Sequence, residues 1–193
     1  LNFNGSVFSS SGASGFAGIS MGGTITSHAI TPASNNSYDI GTSTMVYNDV
    51  FAVNFQGRAT SANWSDLAER YESDTKLEAG DVVKIGGAKE VTKTTQQGDT
   101  DVFGVVSTEP AFKMNADAGD NDTHPYIALT GRAPCKVKGP IAKGDRLISS
   151  DIPGVAQALG DINSHPLHSV IGRSLETSDD NEVKYVEIVV GKN

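Results

Sequence analysis

The sequence has one cysteine, Cys135, in 193 residues, which excludes an intrachain disulfide and a thiolate metal cluster. Leu1 to Thr60 contains a single Arg, no Lys and few large aliphatics, too few to close a core of ordinary size within one chain. That stretch is expected either to be disordered or to borrow burial from neighbouring copies. No apolar run reaches the ~18 residues of a membrane span, and the first residues carry neither a basic start nor an apolar signal core. Net basic charge is missing too. A net charge of −8 and a pI near 4.9 argue against nucleic-acid and anionic-membrane partners, both of which need a basic surface. The chain begins at Leu1 and not at Met, as expected of a fragment or a processed product.

What is present divides in two. Ser61 to Asn193 carries nearly all the charge, so a boundary is expected near Ser61, giving segments 1–60 and 61–193. In the first, short alternations such as Ser6-Val7-Phe8 and Thr24-Ile25-Thr26 favour brief strands between glycine turns. Tyr38 to Thr60 reads as a short strand module after a Gly-Thr-Ser turn. From Leu77 onward a succession of short strands is expected in "DVVKIG", "KEVTKTT", "VFGVVST", "YIALTGRAPCKVKG", "GDRLISS", "HSVIGRSLE" and "VKYVEIVVG". Their spacing suits a compact β-barrel or sandwich. Two passages echo each other: "LEAGDVVKI" and "IAKGDRLIS" each place Gly-Asp before an apolar strand. They are either an internal duplication or a recurrent turn solution, because Gly and Asp favour tight turns on their own.

The one helical candidate is Ser61 to Glu72. Trp64, Leu67, Ala68 and Tyr71 recur at spacings of three and four, and Ser65 or Asp66 is placed to cap it. On a helix, Asp66 and Glu69 at i and i+3 share a face. Two crowded carboxylates cannot both ionise easily, which sets an acid beside a base. Ser-Asp-x-x-Glu is equally the pattern of an ordinary capping box.

Tyr38-Asp39-Ile40-Gly41-Thr42-Ser43 with Gly57-Arg58-Ala59-Thr60 resembles the phage tail-fibre unit in which such a turn precedes an aromatic-rich strand. Ser65-Asp66-Leu67-Ala68-Glu69, followed by "VFGVVSTEPAFKMN" and "IALTGRAPCKVKGPIAKGDRLISSDIPGVA", resembles the intramolecular-chaperone autocleavage domain of phage neck-appendage and tail-spike proteins. That resemblance implies a C-terminal domain that guides homotrimerisation and then cuts itself free between Ser65 and Asp66. Asp66 and Glu69 are implied as the acid/base or nucleophile pair, with Ser65 presenting the carbonyl. A route exists: the Asp66 carboxylate reaches the preceding carbonyl through a six-membered ring, and a second carboxyl protonates the leaving nitrogen. ATP as a trigger is implied by the resemblance alone. The sequence has no Gly-rich phosphate loop, and "KIGGAK", Lys84 to Lys89, reads as a β-turn.

Other candidates read as structural. His165 and His168 are separated by Pro166, which denies ligands a helical frame; with His124 they are expected on surface loops. His28 stands without a His-x-His pattern and is not read as an axial metal ring. Asp117 to His124 lacks the twelfth-position Glu of a calcium loop and reads as a solvated acidic loop. Cys135 sits in an apolar alternation as a small core residue.

The expected fold is mainly β: a thin trimeric β-shaft, one short helix at the junction, then a compact β-barrel or sandwich. The expected function is a virion tail-fibre or spike component, assembled in the host cytoplasm, whose C-terminal domain drives trimer formation and cuts itself. Expected partners are its own copies, other tail or baseplate proteins and a host-surface glycan or protein. The alternative is a non-cleaving fibre tip that binds a host receptor, and purely structural decoration is a third reading.

Overall fold

A computed structural model describes residues 34–35, 39–48, 50–54 and 65–191. The chain divides into two units, Leu1–Gln56 and Gly57–Asn193. In the first, the expected turn is present: Thr42 N–H donates to Met45 O at 2.8 Å, and Met45 N–H donates to Thr42 Oγ1 at 3.0 Å. Residues 39–48 and 50–54 form bends and extended chain without strand pairing, in place of the expected strand module. Their apolar side chains are open, with Phe51 95% and Val53 99% exposed. Among the described residues they have no strand pairing. Residues 1–33, including His28, and 55–64, including Trp64, lie outside the described residues.

Among the described residues the second unit is built from strands alone, apart from one 3-10 turn at Leu167–Ser169. In chain order they are β1 Asp66–Arg70, β2 Val82–Ile85, β3 Val91–Lys93, β4 Val102–Val106 and β5 Phe112–Met114, then β6 Tyr126–Val137, β7 Arg146–Ser149, β8 Ala156–Ala158, β9 Val170–Ser174 and β10 Lys184–Val190. Every segment read as a strand from Asp81 onward contains one. In the described part of the expected Ser61 to Glu72 helix there is no helix: Asp66 to Arg70 is strand β1. β1 lies between β5, which it pairs in parallel, and β6, which it pairs antiparallel. Both its edges are therefore hydrogen-bonded, and that pairing outweighs a helical pattern of about 12 residues, a length that is marginal alone.

Two rings share the long strand β6. The first runs β1, β6, β4, β2, β3 and closes through a parallel bridge from Ser73 to Val91. The second runs β6, β10, β9, β7, β8 and closes through Val137 to Ala156. The echo between "LEAGDVVKI" and "IAKGDRLIS" marks a structural repeat larger than the turn, because the pairing repeats with it. Val83 faces Gly104 and Lys93, as Leu147 faces Gly172 and Ala158. The turns match bond for bond. Asp81 N–H donates to Glu78 O at 3.0 Å while its Oδ2 accepts Glu78 N–H at 2.9 Å. Asp145 makes the same pair with Ala142, at 3.0 and 2.8 Å. Gly80 and Gly144 hold positive φ, 81° and 94°, a conformation open to glycine that lets each turn close.

The cores repeat as well. Leu77, Val83, Val91 and Ile127 fill the first barrel; Ile141, Leu147, Ala156 and Ile188 occupy the matching places in the second. Where the copies differ, burial explains it. Val82 and Val105 pack into the core shared with the second barrel, whereas their counterparts Arg146 and Arg173 are half-buried on its far side. Burial at ~25 cal/mol/Å² favours Val in the first place and leaves room for a snorkelling cation in the second.

Candidate functional site

β1 sets the geometry of the Ser65-Asp66-x-x-Glu69 stretch. Successive side chains on a strand alternate faces, so Asp66 and Ala68 turn inward while Leu67 and Glu69 turn to the other side, as their burial shows. The structure thus separates the two carboxylates that a helix would have put on one face. Glu69 accepts the Tyr71 hydroxyl at 2.9 Å. Tyr71 meets Phe103 edge to face at 5.0 Å, and its hydroxyl is pushed up to about 12, first by burial and then by the Glu69 bond.

Asp66 is 5% exposed and held from several directions. Its Oδ2 accepts the Ser107 hydroxyl at 2.5 Å, and its carbonyl accepts Ala111 N–H at 2.9 Å. Ser65, just before it, is exposed. The peptide unit between them lies flat against Gly131, where a Cβ would sit 2.2 Å from Ser65 O and 2.8 Å from Asp66 Cα. Gly131 has φ 103°, so the bond is packed on a backbone that only glycine supplies without strain. A cleft of about 300 Å³ opens here, lined by Ser65, Asp66, Ser107, Glu109, Arg132 and Glu187 among others. A scissile peptide at Ser65, a buried carboxylate one residue on and further acidic groups in one cleft are the components of intramolecular acyl chemistry.

The repeat supplies an internal control. Adding the 64-residue offset that takes Asp81 to Asp145 carries Ser65, Asp66 and Glu69 to Leu129, Thr130 and Ala133; by pairing, Ser107 corresponds to Leu175. The glycine packing recurs, since a Cβ on Gly191 would sit 2.8 Å from Leu129 O. The carboxylates and the hydroxyl do not. The second barrel therefore keeps the glycine contact without counterparts of Asp66, Glu69 or Ser107. Ser107 was missed in the sequence: it lies 41 residues from Asp66, and only the fold brings the two together.

The other described candidates sit in the core or on loops. Burial pushes the Cys135 thiol far up, with the Asp81 charge adding to it, so Cys135 is a small core residue. His165 packs on Gly98 and His124 on Gly119, while His168 is exposed; among the described residues no three His, Cys, Asp or Glu side chains gather around one point. In the acidic loop, Asp120 accepts the Thr123 hydroxyl, the Thr123 N–H and the Asp122 N–H. These bonds, the Thr123 hydroxyl foremost, hold its carboxyl below the usual range. In "KIGGAK" Ala88 N–H donates to Asp74 Oδ2 at 2.8 Å, so the turn's free donor is already answered by a carboxylate, which would repel phosphate.

The fold these barrels define is one seen in a bacteriophage protein. No protein-family model matches the chain, and no curated protein sequence does. Among solved structures, the pre-mature bacteriophage phi29 gene product 12 is similar over 70% of this chain and 23% of that one, with a TM-score of 0.52 and 16% identity. The C-terminal fragment of phi29 gene product 12 is similar over 65% of this chain and 99% of that one, at TM-score 0.47 and 15% identity. The head fiber gp8.5 N base of phi29 is similar over 65% and 93%, at 0.40 and 13%. At such identities the likeness is one of fold, and only the first carries weight. This chain spans about a quarter of that protein's length.

Proposed function

We propose that this chain is a component of a phage tail fibre or spike, that its paired barrels guide formation of a homotrimer, and that it cuts itself between Ser65 and Asp66. The fold shared with pre-mature phi29 gene product 12 supports the fibre reading. The open apolar side chains at Phe51 and Val53 support the trimer, since wound copies would supply the missing burial. ATP as a trigger rests on the sequence resemblance alone.

The observation that carries the cleavage reading is the Asp66 carboxylate, buried and hydrogen-bonded in the same cleft that Ser65 lines. An Asp66 carboxylate oxygen attacks the Ser65 carbonyl carbon, closing a six-membered ring. The carbon–nitrogen bond breaks and the nitrogen leaves as an amine after taking a proton. Water then opens the resulting anhydride to a Ser65 carboxylate and the restored Asp66 side chain. Holding attacking and attacked groups one residue apart contributes on the order of 7 to 11 kcal/mol of barrier as prepaid entropy when the alignment is good. Glu69, the second carboxylate of the resemblance, turns to the other face of β1, whereas Glu109 and Glu187 line the cleft itself. The proton is thus assigned to a cleft carboxyl in one chain, with Glu69 as the competing donor.

The test is intact mass over time, with and without ATP, for the full chain and its Asp66→Asn, Glu69→Gln and Glu109→Gln variants, with native mass for oligomer state. Fragments ending at Ser65 and starting at Asp66 in the unaltered chain, and none in Asp66→Asn, are expected. One stable full-length mass throughout would leave a non-cleaving tip that binds a host-surface glycan or protein.

A further inference from the structure

We infer that Ser107 is a positioning residue for the cut at Ser65–Asp66: its hydroxyl fixes the Asp66 carboxylate in the orientation from which it reacts. The inference rests on the self-cleavage reading above. An aspartate side chain turns about two bonds, and few of its rotamers bring a carboxylate oxygen over the preceding carbonyl. A hydrogen bond that selects one of them converts a rare arrangement into the resting one.

Three observations carry it. The bond is short, 2.5 Å from Ser107 Oγ to Asp66 Oδ2, and both residues are largely buried, where a hydrogen bond is electrostatically stronger than in water. The donor is itself immobile: Ser107 follows β4 directly, and its N–H donates to Tyr126 O at 2.8 Å on the neighbouring strand β6. The hydroxyl also has no counterpart in the second barrel. In the second barrel Leu175 makes the matching backbone bond, to Glu187 O at 2.8 Å, with no hydroxyl, and the residue matching Asp66 there is Thr130. The fold has kept the backbone contact in both copies and the side-chain pair in one. Oδ1 of Asp66 accepts no hydrogen bond among the described residues, which leaves it as the oxygen available for attack. No bond to Ser107 forms or breaks during the reaction.

The experiment follows the Asp66–Asn193 fragment by intact mass in the full chain, comparing the unaltered protein with Ser107→Ala and Ser107→Thr, and records thermal unfolding of each in an Asp66→Asn background. Ser107→Ala is expected to cut about 10- to 100-fold more slowly, the loss typical of a misplaced reacting group, with Ser107→Thr recovering the rate to within a few fold. If alanine prevents folding, Ser107→Cys replaces it, because its thiol fills the space but donates feebly. Ser107→Ala cutting at the unaltered rate, or a folded Ser107→Thr as slow as alanine, overturns the positioning role while self-cleavage stands. An unaltered chain that never cuts overturns both, and is recognised by one mass in every sample.

Discussion

Asp81 and Lys136 lie 2.8 Å apart where the first barrel meets the strand that belongs to both. Asp81 is 1% exposed; its other oxygen takes Lys93 at 2.9 Å and the Glu78 N–H at 2.9 Å. The matching Asp145 keeps only the turn bond, to Ala142 N–H. Removing one partner of a buried charge cluster costs about 3 kcal/mol even when the surviving lysines reach solvent, whereas losing a turn bond costs about 1 kcal/mol. Urea denaturation should therefore show Asp81→Ala destabilised roughly three times as much as Asp145→Ala. Equal losses would mean that Asp81 acts through its turn alone.

At alkaline pH the same neighbourhood weakens. Burial alone would lower the Lys136 ammonium, but its bonds to Asp81 and Glu78 outweigh burial and hold it above the usual range. Tyr71 is pushed up to about 12. Both groups have folded values above their unfolded ones, so their stabilisation is complete below about pH 10 and is lost as pH rises through the folded values. Absorbance titration of the tyrosines should show one ionising near 12, and Tyr71→Phe should remove that step. A Tyr71→Phe curve that retains it would reassign the hydroxyl.

Gly131 and Gly139 both have positive φ, 103° and 74°, but only one faces an obstacle. A Cβ at Gly131 would sit 2.2 Å from Ser65 O; at Gly139 it would meet nothing within 4 Å. Gly139→Ala should cost only left-handed backbone strain, about 1 kcal/mol. Gly131→Ala must also push the Ser65–Asp66 peptide off its seat, so a larger loss of stability and a slowed cut are expected together. Thermal unfolding and intact mass on the same two variants check this, and a Gly131→Ala chain as stable as Gly139→Ala would remove the packing argument.

How legible this was in the sequence depended on the range of the forces involved. The Gly-Asp turns announced the repeat because the whole device, glycine φ and carboxylate bond, is confined to four residues. The strands after Asp81 followed from alternation. β1 was hidden, since Leu67, Ala68 and Tyr71 fit a helical stripe as well as a strand, and the deciding hydrogen bonds come from β5 and β6, more than 40 residues away. For the same reason the Asp66–Glu69 pairing drawn from a helix dissolved, while the Asp66–Ser107 pair could be seen only once β4 and β1 were brought together.

The two barrels should unfold as one. β6 places Ile127 in the first core and Ala133 and Val137 in the second, and the larger core mixes Val82 and Val105 with Leu147 and Ile188. Neither barrel can close without that strand, so partial unfolding would expose apolar surface of its partner. Leu147→Ala, removing a fully buried side chain, should cost about 2 to 5 kcal/mol, and Val83→Ala in the other barrel somewhat less. Each should move a single calorimetric transition of residues 65–191 without splitting it, the calorimetric and van't Hoff enthalpies of that transition agreeing. A transition that splits in Leu147→Ala, with one half unmoved, would show instead that the repeated halves hold their cores independently and that β6 joins them without coupling them.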